Sequence, residues 1–338
     1  MTAPACLVTA ILACFVASLL GCELVRRAAL RRALLDEINE RSLHTVPTPR
    51  LGGVAIVAVT LAAALVTWGS TSSEVHILTG VSAVVAVVGL RDDLKPMSAG
   101  LRIALQIVAS VAFLRLVGTP PLLIARAVPL GVPSFVVTAL LVVWLVGVLN
   151  IYNFMDGMDG LAGAQTACAA AAFAVVLGSS GGSSYLAIAL GAAALGFLAH
   201  NFPPARIFMG DAGSTFIGMT FGALAILGMH HDVPLTETAL ALAPFLLDGT
   251  FTILRRALRR EKIWQAHRTH LYQRAVQTGL AHREVLLVYL AWLAVAAAGA
   301  ALASRGTIFL AGAWLSVLVG LAIVWRWVVG RERRSGSA

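Results

Sequence analysis

The sequence predicts an all-α, polytopic membrane helical bundle with about eleven transmembrane helices, and three observations carry that prediction. Apolar letters make up 59% of the 338 residues and charged ones only 12%, with a mean hydropathy of +0.87, which is more than a soluble domain of this length buries. Cutting the chain at its charged, Gly-rich and Pro-rich punctuation leaves eleven apolar stretches, near the ~20 residues that a hydrocarbon core of ~30 Å requires of a helix. Basic residues crowd alternate connections, as they do where Lys and Arg resist translocation.

The first stretch, 3–25, has no basic start and is long enough to span, so it reads as a retained helix rather than a cleaved signal. It carries Cys6, Cys14 and Cys22; with Cys168 these lie in apolar runs without a CxxC pair, so neither a disulfide framework nor a zinc site is indicated. Stretches 51–69, 76–90 and 101–118 follow, then 132–149, 161–178 and 184–200. The third and seventh are short, which suits tilted, kinked or partly spanning helices. The last four are 212–229, 235–254, 284–303 and 307–328. No internal repeat or soluble insertion interrupts them, so 1–338 reads as one integral membrane domain.

Placing the N-terminus on the periplasmic side and the C-terminus in the cytoplasm puts 22 of the 25 Lys and Arg residues inside, leaving Arg115, Arg126 and Arg305 outside. An even helix count would destroy this division. The net charge of +9 is then a topology signal first and an attraction for anionic membrane lipids and substrates second, so a nucleic-acid partner is not indicated.

In this orientation the polar motifs share the cytoplasmic face, in loops near 26–50, 91–100, 150–160, 201–211 and 255–283. They comprise His44 through Arg50-Leu51-Gly52-Gly53, then Asp92-Asp93-Leu94-Lys95, then Asn150 with Asn153, Asp156 and Asp159. Next come Asn201, Phe208, Gly210, Asp211 and Ser214, and finally His267-Arg268-Thr269-His270. Five helices begin on this side, and helix N-termini attract phosphate and carboxylate. Carboxylates beside cations and helix N-termini suit a divalent metal bridging phosphates, since Mg²⁺ takes one or two carboxylates plus substrate oxygens. Phosphoryl chemistry is the leading class.

Each motif also has a plainer reading. Asp92-Asp93 could form a solvated turn before Lys95-Pro96. Asn153, Asp156 and Asp159 share a face if their segment is helical, whereas the glycines also suit a capped loop. Asp211 could be only a helix N-cap, and His267 with His270 only exposed loop residues. Asp248 lies inside an apolar run, where a charge needs a partner, with Arg255 and Arg256 as candidates.

Taken together, these residues resemble the polyprenyl-phosphate N-acetylhexosamine-1-phosphate transferase family, glycosyltransferase family 4. The resemblance runs from His44 to about Arg274 and rests on the Asp92 motif, on Asn153-Phe154-Met155-Asp156-Gly157-Met158-Asp159-Gly160 and on Phe208-Met209-Gly210-Asp211-Ala212-Gly213-Ser214. The stretch Arg41 to Gly53, and Pro244 to Gly249 followed by Arg255 and Arg256, resemble the branch that initiates O-antigen and common-antigen units. His267-Arg268-Thr269-His270 departs from the triple histidine of the peptidoglycan translocase.

The resemblance implies transfer of an N-acetylhexosamine 1-phosphate from a UDP-sugar to undecaprenyl phosphate, with release of UMP, at the inner membrane of a bacterium. It implies Mg²⁺ as cofactor, with Mn²⁺ as the alternative ion, held by Asp211 and Asp92. Asp92, Asp93 and Asp211 are then the expected catalytic residues, with Asn153, Asp156 and Asp159 lining the nucleotide pocket and Phe208 stacking on uracil. His267, Arg268 and His270 are expected on the diphosphate, with His44 and Arg50 near the carrier phosphate or metal, and a homodimer is compatible with the family. Two competing readings stand beside it. One is the phospho-MurNAc-pentapeptide translocase of peptidoglycan synthesis; the other is a proton-coupled transporter, against which the one-sided polar residues and missing repeat count.

Overall fold

The computed structural model describes residues 3–36, 43, 46–124, 131–178, 182–261 and 267–336. Every one of the eleven apolar stretches is helical. In chain order the elements are α1 (Ala3–Arg31), β1 (Leu35–Asp36), β2 (Thr48–Pro49), α2 (Gly53–Val66), α3 (Ser73–Leu94), α4 (Ala99–Val117) and α5 (Ser134–Met155). There follow α6 (Leu161–Leu177), α7 (Ser183–Asn201), α8 (Asp211–His230), α9 (Leu235–Leu258), α10 (Leu271–Gln277), α11 (His282–Ala303) and α12 (Thr307–Ser335). Among the described residues, nine helices are long and apolar enough to cross a membrane. The protein is a multi-pass membrane bundle.

Two lengths differ from the sequence expectation. The third and seventh stretches form full helices of 22 and 19 residues, whereas α2 and α6, with 14 and 17, are the short ones. Helix α3 gains its length at its charged ends, Glu74 favouring the N-terminal dipole and Arg91-Asp92-Asp93-Leu94 completing the last turn. Helix α2 starts late because the chain before it is held by another segment. Gly52 and Gly53 donate to the Phe208 and Met209 carbonyls (2.8 Å each), and Phe208 N–H donates to Pro49 O (2.8 Å). The heptapeptide helix α10 was not foreseen.

Helix α8 is the axis of the bundle. Every residue from Ala212 to Met229 is buried, against α3, α5, α2 and α9. By contrast α1 and α12 are peripheral, and Leu12, Leu20 and Leu24 of α1 and Ile308, Leu315 and Ile323 of α12 are exposed. Such apolar ridges suit acyl chains as their solvent.

The C-terminal ends of α3, α5 and α7 meet the N-terminal ends of α2, α6, α8 and α11 at one end of the bundle. The opposite end carries the Glu74 and His231 pair at 3.9 Å.

Candidate active site

Gly89 brings the end of α3 onto the start of α8. A Cβ there would stand 2.5 Å from the Asp211 carbonyl oxygen, so any side chain would push the helices apart. One turn on, Asp93 uses both carboxylate oxygens to accept the N–H groups of Asp211 and Ala212, at 2.9 Å each. This is a helix cap supplied by a neighbouring helix, a carboxylate meeting the positive end of the α8 dipole. Gly210 fits tightly beneath it, with φ +79° and a Cβ position 2.9 Å from Asp93 Oδ2. Asp93 thus orients Asp211, and Asp211 is the first residue of α8 rather than its N-cap.

Asp92, on the same turn, is equally buried. Its Oδ1 accepts Met97 N–H at 2.5 Å and its Oδ2 accepts from Arg102 Nη1 at 2.6 Å. The same Arg102 nitrogen lies 3.4 Å from Asp211 Oδ2. Asn153 Nδ2 donates to Asp211 Oδ1 at 2.8 Å and to Ser214 Oγ at 2.9 Å. The solvated-turn reading of the Asp92-Asp93 pair is therefore overturned: both carboxylates are held inside the bundle, one capping a helix and one paired with a cation.

Above this cluster lies a cavity of about 390 Å³, in the range that accommodates a small ligand. Asp92, Asp93, Asn153, Asp156, Asp159, Phe208, Asp211 and Arg50 all line it. Asn153 is the only helical member of its motif, because α5 ends at Met155 and Asp156 and Asp159 lie in the loop that follows. The shared helical face is thereby replaced by the capped-loop alternative. Asp159 braces that loop, accepting Ala205 N–H (2.9 Å) and pairing with His282 Nδ1 (3.1 Å). Asn201 braces it from the other side, accepting Gly160 N–H and donating to Ile207 O, each at 2.9 Å.

The cavity gathers negative charge. Burial pushes the Asp156 carboxyl well above the usual carboxylate range, and the charges of Asp211, Asp93 and Asp36 add to that. Arg50 and Arg102 answer only part of it. Among the described residues no three His, Cys, Asp or Glu side chains form a ready-made metal site. The hard oxygen pair of Asp92 and Asp211, short of positive charge, fits an ion that takes its remaining ligands from phosphate.

The histidine segment is placed differently from the expectation. His267, Arg268 and His270 are absent from the cavity lining. His270 is buried and lies 3.6 Å from Asp248 Oδ1 through Nδ1. Asp248 also accepts Leu271 N–H (2.9 Å), Tyr289 Oη (2.6 Å) and Thr252 Oγ1 (3.3 Å), so its partners are these groups and not Arg255 or Arg256. Arg255 donates to Thr269 O (2.9 Å) and Arg256 pairs with Glu261 (2.8 Å). His267 is pushed down to about 4, chiefly by burial, with His270, Arg256 and Arg255 adding to it. Its ring and that of His270 lie 6.5 and 6.4 Å from Phe154, which precedes the cavity loop. Arg268 is exposed. His44 lies outside the described residues.

Four lining or bridging residues escaped the sequence reading: Asp36, Arg102, Gln273 and His282. Arg102 had counted only as a topology charge. A basic side chain in the first turn of a helix that starts beside the motifs was the signal available for Arg102 and His282.

The sequence profile described as Glycosyl transferase family 4 matches residues 75–229, which include every cavity carboxylate except Asp36. The chain is 30% identical to the probable undecaprenyl-phosphate N-acetylglucosaminyl 1-phosphate transferase of Bacillus subtilis, over 79% of this chain and 76% of the relative. It is 33% identical to the decaprenyl-phosphate N-acetylglucosaminephosphotransferase of Mycolicibacterium smegmatis, over 89% of this chain and 82% of the relative. Similarity to the phospho-N-acetylmuramoyl-pentapeptide-transferase of Nostoc punctiforme, 40% identity, covers only 24% of this chain and 19% of the relative.

Proposed function

Since the chain belongs to glycosyl transferase family 4, the polyprenyl-phosphate N-acetylglucosamine-1-phosphate transferases, we propose that it moves an N-acetylhexosamine 1-phosphate from a UDP-sugar onto undecaprenyl phosphate or a similar carrier. The observation that carries this reading is the placement of Asp92 and Asp211 around one Arg102 nitrogen, at the floor of a cavity ringed by helix N-termini. The product is a polyprenyl-diphosphate sugar that initiates O-antigen or another envelope glycan. The cavity is read as opening on the cytoplasmic face of the inner membrane, because that end carries the loops holding most Lys and Arg residues.

The reaction is a direct displacement. A phosphate oxygen of the lipid attacks the phosphorus that bears the sugar, a new P–O–P bond forms, and the bond to UMP breaks with the electron pair leaving on UMP. The nucleophile is anionic near neutral pH, since a phosphate monoester has its second pKa near about 6, so no strong base is required. The obstacle is bringing two anions together.

Arg102 provides a fixed cation at the meeting point and Asn153 holds the Asp211 carboxylate in one orientation. Asp92 and Asp211 would hold Mg²⁺, or Mn²⁺ in its place, which supplies Lewis-acid neutralisation of the phosphate charge. Phe208 and the loop braced by Asp159 offer a face for uracil, and Arg50 offers a charge-assisted donor in the cavity lining. His270 serves by fixing α10, from which Gln273 reaches the cavity.

The test is UMP release by purified protein with Mg²⁺, undecaprenyl phosphate and a panel of UDP-sugars. UMP formation with a UDP-N-acetylhexosamine, matched by a lipid diphosphate product, is expected. Turnover confined to UDP-MurNAc-pentapeptide would transfer the protein to peptidoglycan synthesis, and no turnover with any lipid phosphate would overturn the reading.

A further inference from the structure

Outside the cavity, the C-terminal ends of α9 and α12 meet beside α10 and bring together a dense group of arginines. Arg255 feels the charges of Arg259, Arg274, Glu261 and Glu332, which marks these five groups as neighbours. Both acids are already taken, Glu261 by Arg256 (2.8 Å) and Glu332 by Arg274 (2.6 Å). Among the described residues, Arg259 and Arg260 at the end of α9 and Arg331, Arg333 and Arg334 of α12 have no acidic partner. Two further donors, Arg255 Nε and Arg274 Nη1, are buried without a hydrogen-bond partner, and orphaned donors of this kind call for an acceptor. Arg260 adds a backbone cost, holding φ +58° just past α9 in a left-handed position that glycine normally fills.

Helix length sets this group at the surface of the bilayer. From Thr307 to Trp325, α12 runs about 27 Å at 1.5 Å per residue, close to the ~30 Å of a hydrocarbon core. Trp325 is 41% exposed and Trp327 half-buried, and tryptophan marks the boundary between acyl chains and headgroups. Arg331 to Arg334 follow about 9–14 Å further on, and an arginine side chain reaches back across part of that distance. On α9, Leu254 and Leu258 are 57% and 86% exposed just before Arg259 and Arg260, so apolar surface adjoins the cations.

We propose that this arginine group is a site for the phosphate headgroup of an anionic phospholipid, whose acyl chains lie along Leu254, Leu258 and Trp325, and that its occupancy steadies the cavity through Glu332. Unpaired cations at close quarters repel one another, and an anion between them removes that cost. A soluble phosphate or an acidic protein answers the charges and leaves the leucines and the tryptophan uncovered, whereas one lipid covers both. Topology alone requires only that basic residues lie on one side; it does not require three elements to gather them around two acids that are already paired.

The link to the cavity is short. Glu332, between Arg331 and Arg333, holds Arg274 of α10. The two residues before Arg274 reach the site, Gln273 lining the cavity and Tyr272 Oη donating to Phe154 O (2.9 Å). Holding the end of α12 at the headgroup layer therefore keeps α10 seated. The binding site stands by itself, and its effect on turnover rests on the transferase reading.

The test compares the wild-type protein with the triple variant Arg331→Gln, Arg333→Gln, Arg334→Gln in nanodiscs of phosphatidylcholine, alone or with one lipid in three replaced by phosphatidylglycerol. Native mass spectrometry should find phosphatidylglycerol retained on the wild type, and the variant should bind it about a hundredfold more weakly, as loss of three basic side chains at a lipid surface implies. UMP release by the wild type should rise several-fold with phosphatidylglycerol through a lower KM for the UDP-sugar, while the variant equals the wild type in phosphatidylcholine and does not respond. Glu332→Gln should keep the bound lipid and lose the response, a separation that a purely structural role would not produce.

Equal retention of phosphatidylglycerol by wild type and triple variant would overturn the site, and so would equal activation of the two. Activation by inorganic phosphate in phosphatidylcholine discs would overturn the lipid in favour of a soluble anion. Failure of the transferase reading looks different: no lipid composition would then yield UMP, while the difference in lipid retention would persist.

Discussion

Asp211 receives a hydrogen bond from Asn153 on one oxygen, approaches Arg102 with the other, and begins a helix capped by Asp93. Asparagine at this position keeps the oxygen that Asn153 needs and loses the charge. Asp211→Asn should therefore leave thermal unfolding in detergent close to wild type while lowering kcat on the order of a thousandfold, as removal of a principal electrostatic group does. Near-normal turnover at limiting Mg²⁺ would remove Asp211 from the reaction centre. Phe208 is half-buried and lines the same cavity. If its ring stacks on uracil, Phe208→Ala should cost about 1–3 kcal/mol of donor binding and leave acceptor KM unchanged. Equal losses for the two substrates would place the base elsewhere.

These residues were legible because charged and aromatic letters between apolar runs stand out. Asp36 was not, since it lies in the polar stretch between α1 and α2, where one more carboxylate carries no signal. His282 was also hidden, because its partner Asp159 is distant in sequence and only the packing of α11 against α6 joins them.

At the scale of elements, α10 is a short helix with no stability of its own, since isolated helices below about 12–15 residues are marginal in water. It is pinned at its start by Asp248, which holds His270, Leu271 N–H and Tyr289, and at its end by Arg274, whose guanidinium forms paired contacts to Glu332 of α12 at 2.7 and 2.6 Å. Asp248→Ala leaves several buried groups without an acceptor and should cost about 3–5 kcal/mol, whereas Tyr289→Phe should cost about 1 kcal/mol. Thermal unfolding of both variants checks the order, and an unchanged melting temperature for Asp248→Ala would refute the pinning role. Element ends were the least legible feature, because hydropathy stops at the first charge. Helix α3 continues through Arg91, Asp92 and Asp93, and that extra turn converts a surface-looking motif into a buried one.

For the molecule as a whole, composition and spacing sufficed for the fold: all eleven apolar stretches are helices packed in one bundle. The packing order was not readable, because lipid-facing and protein-facing apolar helices differ little in hydropathy. The central α8 and the peripheral α1 illustrate this, and the more hydrophobic of the two is the outer one. The distribution of basic residues predicts that a reporter fused to the C-terminus is active only on the cytoplasmic side. A fusion active only in the periplasm would invert the bundle and detach the cavity from its nucleotide supply.

Asp92 and Asp211 line both the polar cavity and an apolar groove between α3 and α4, so the proposed reaction centre stands between water and bilayer. On the proposed transferase reading a water-soluble donor would reach it from the cavity and a lipid acceptor from the bilayer, so neither would obstruct the other and no loading order would be imposed. UMP should then inhibit competitively against the UDP-sugar and not against the lipid, and initial-rate lines for the two substrates should intersect. Parallel lines would mean that the substrates take turns at one entrance. After such a transfer the small anion would return to water, and the enlarged lipid would move back into the membrane with its sugar still at the surface.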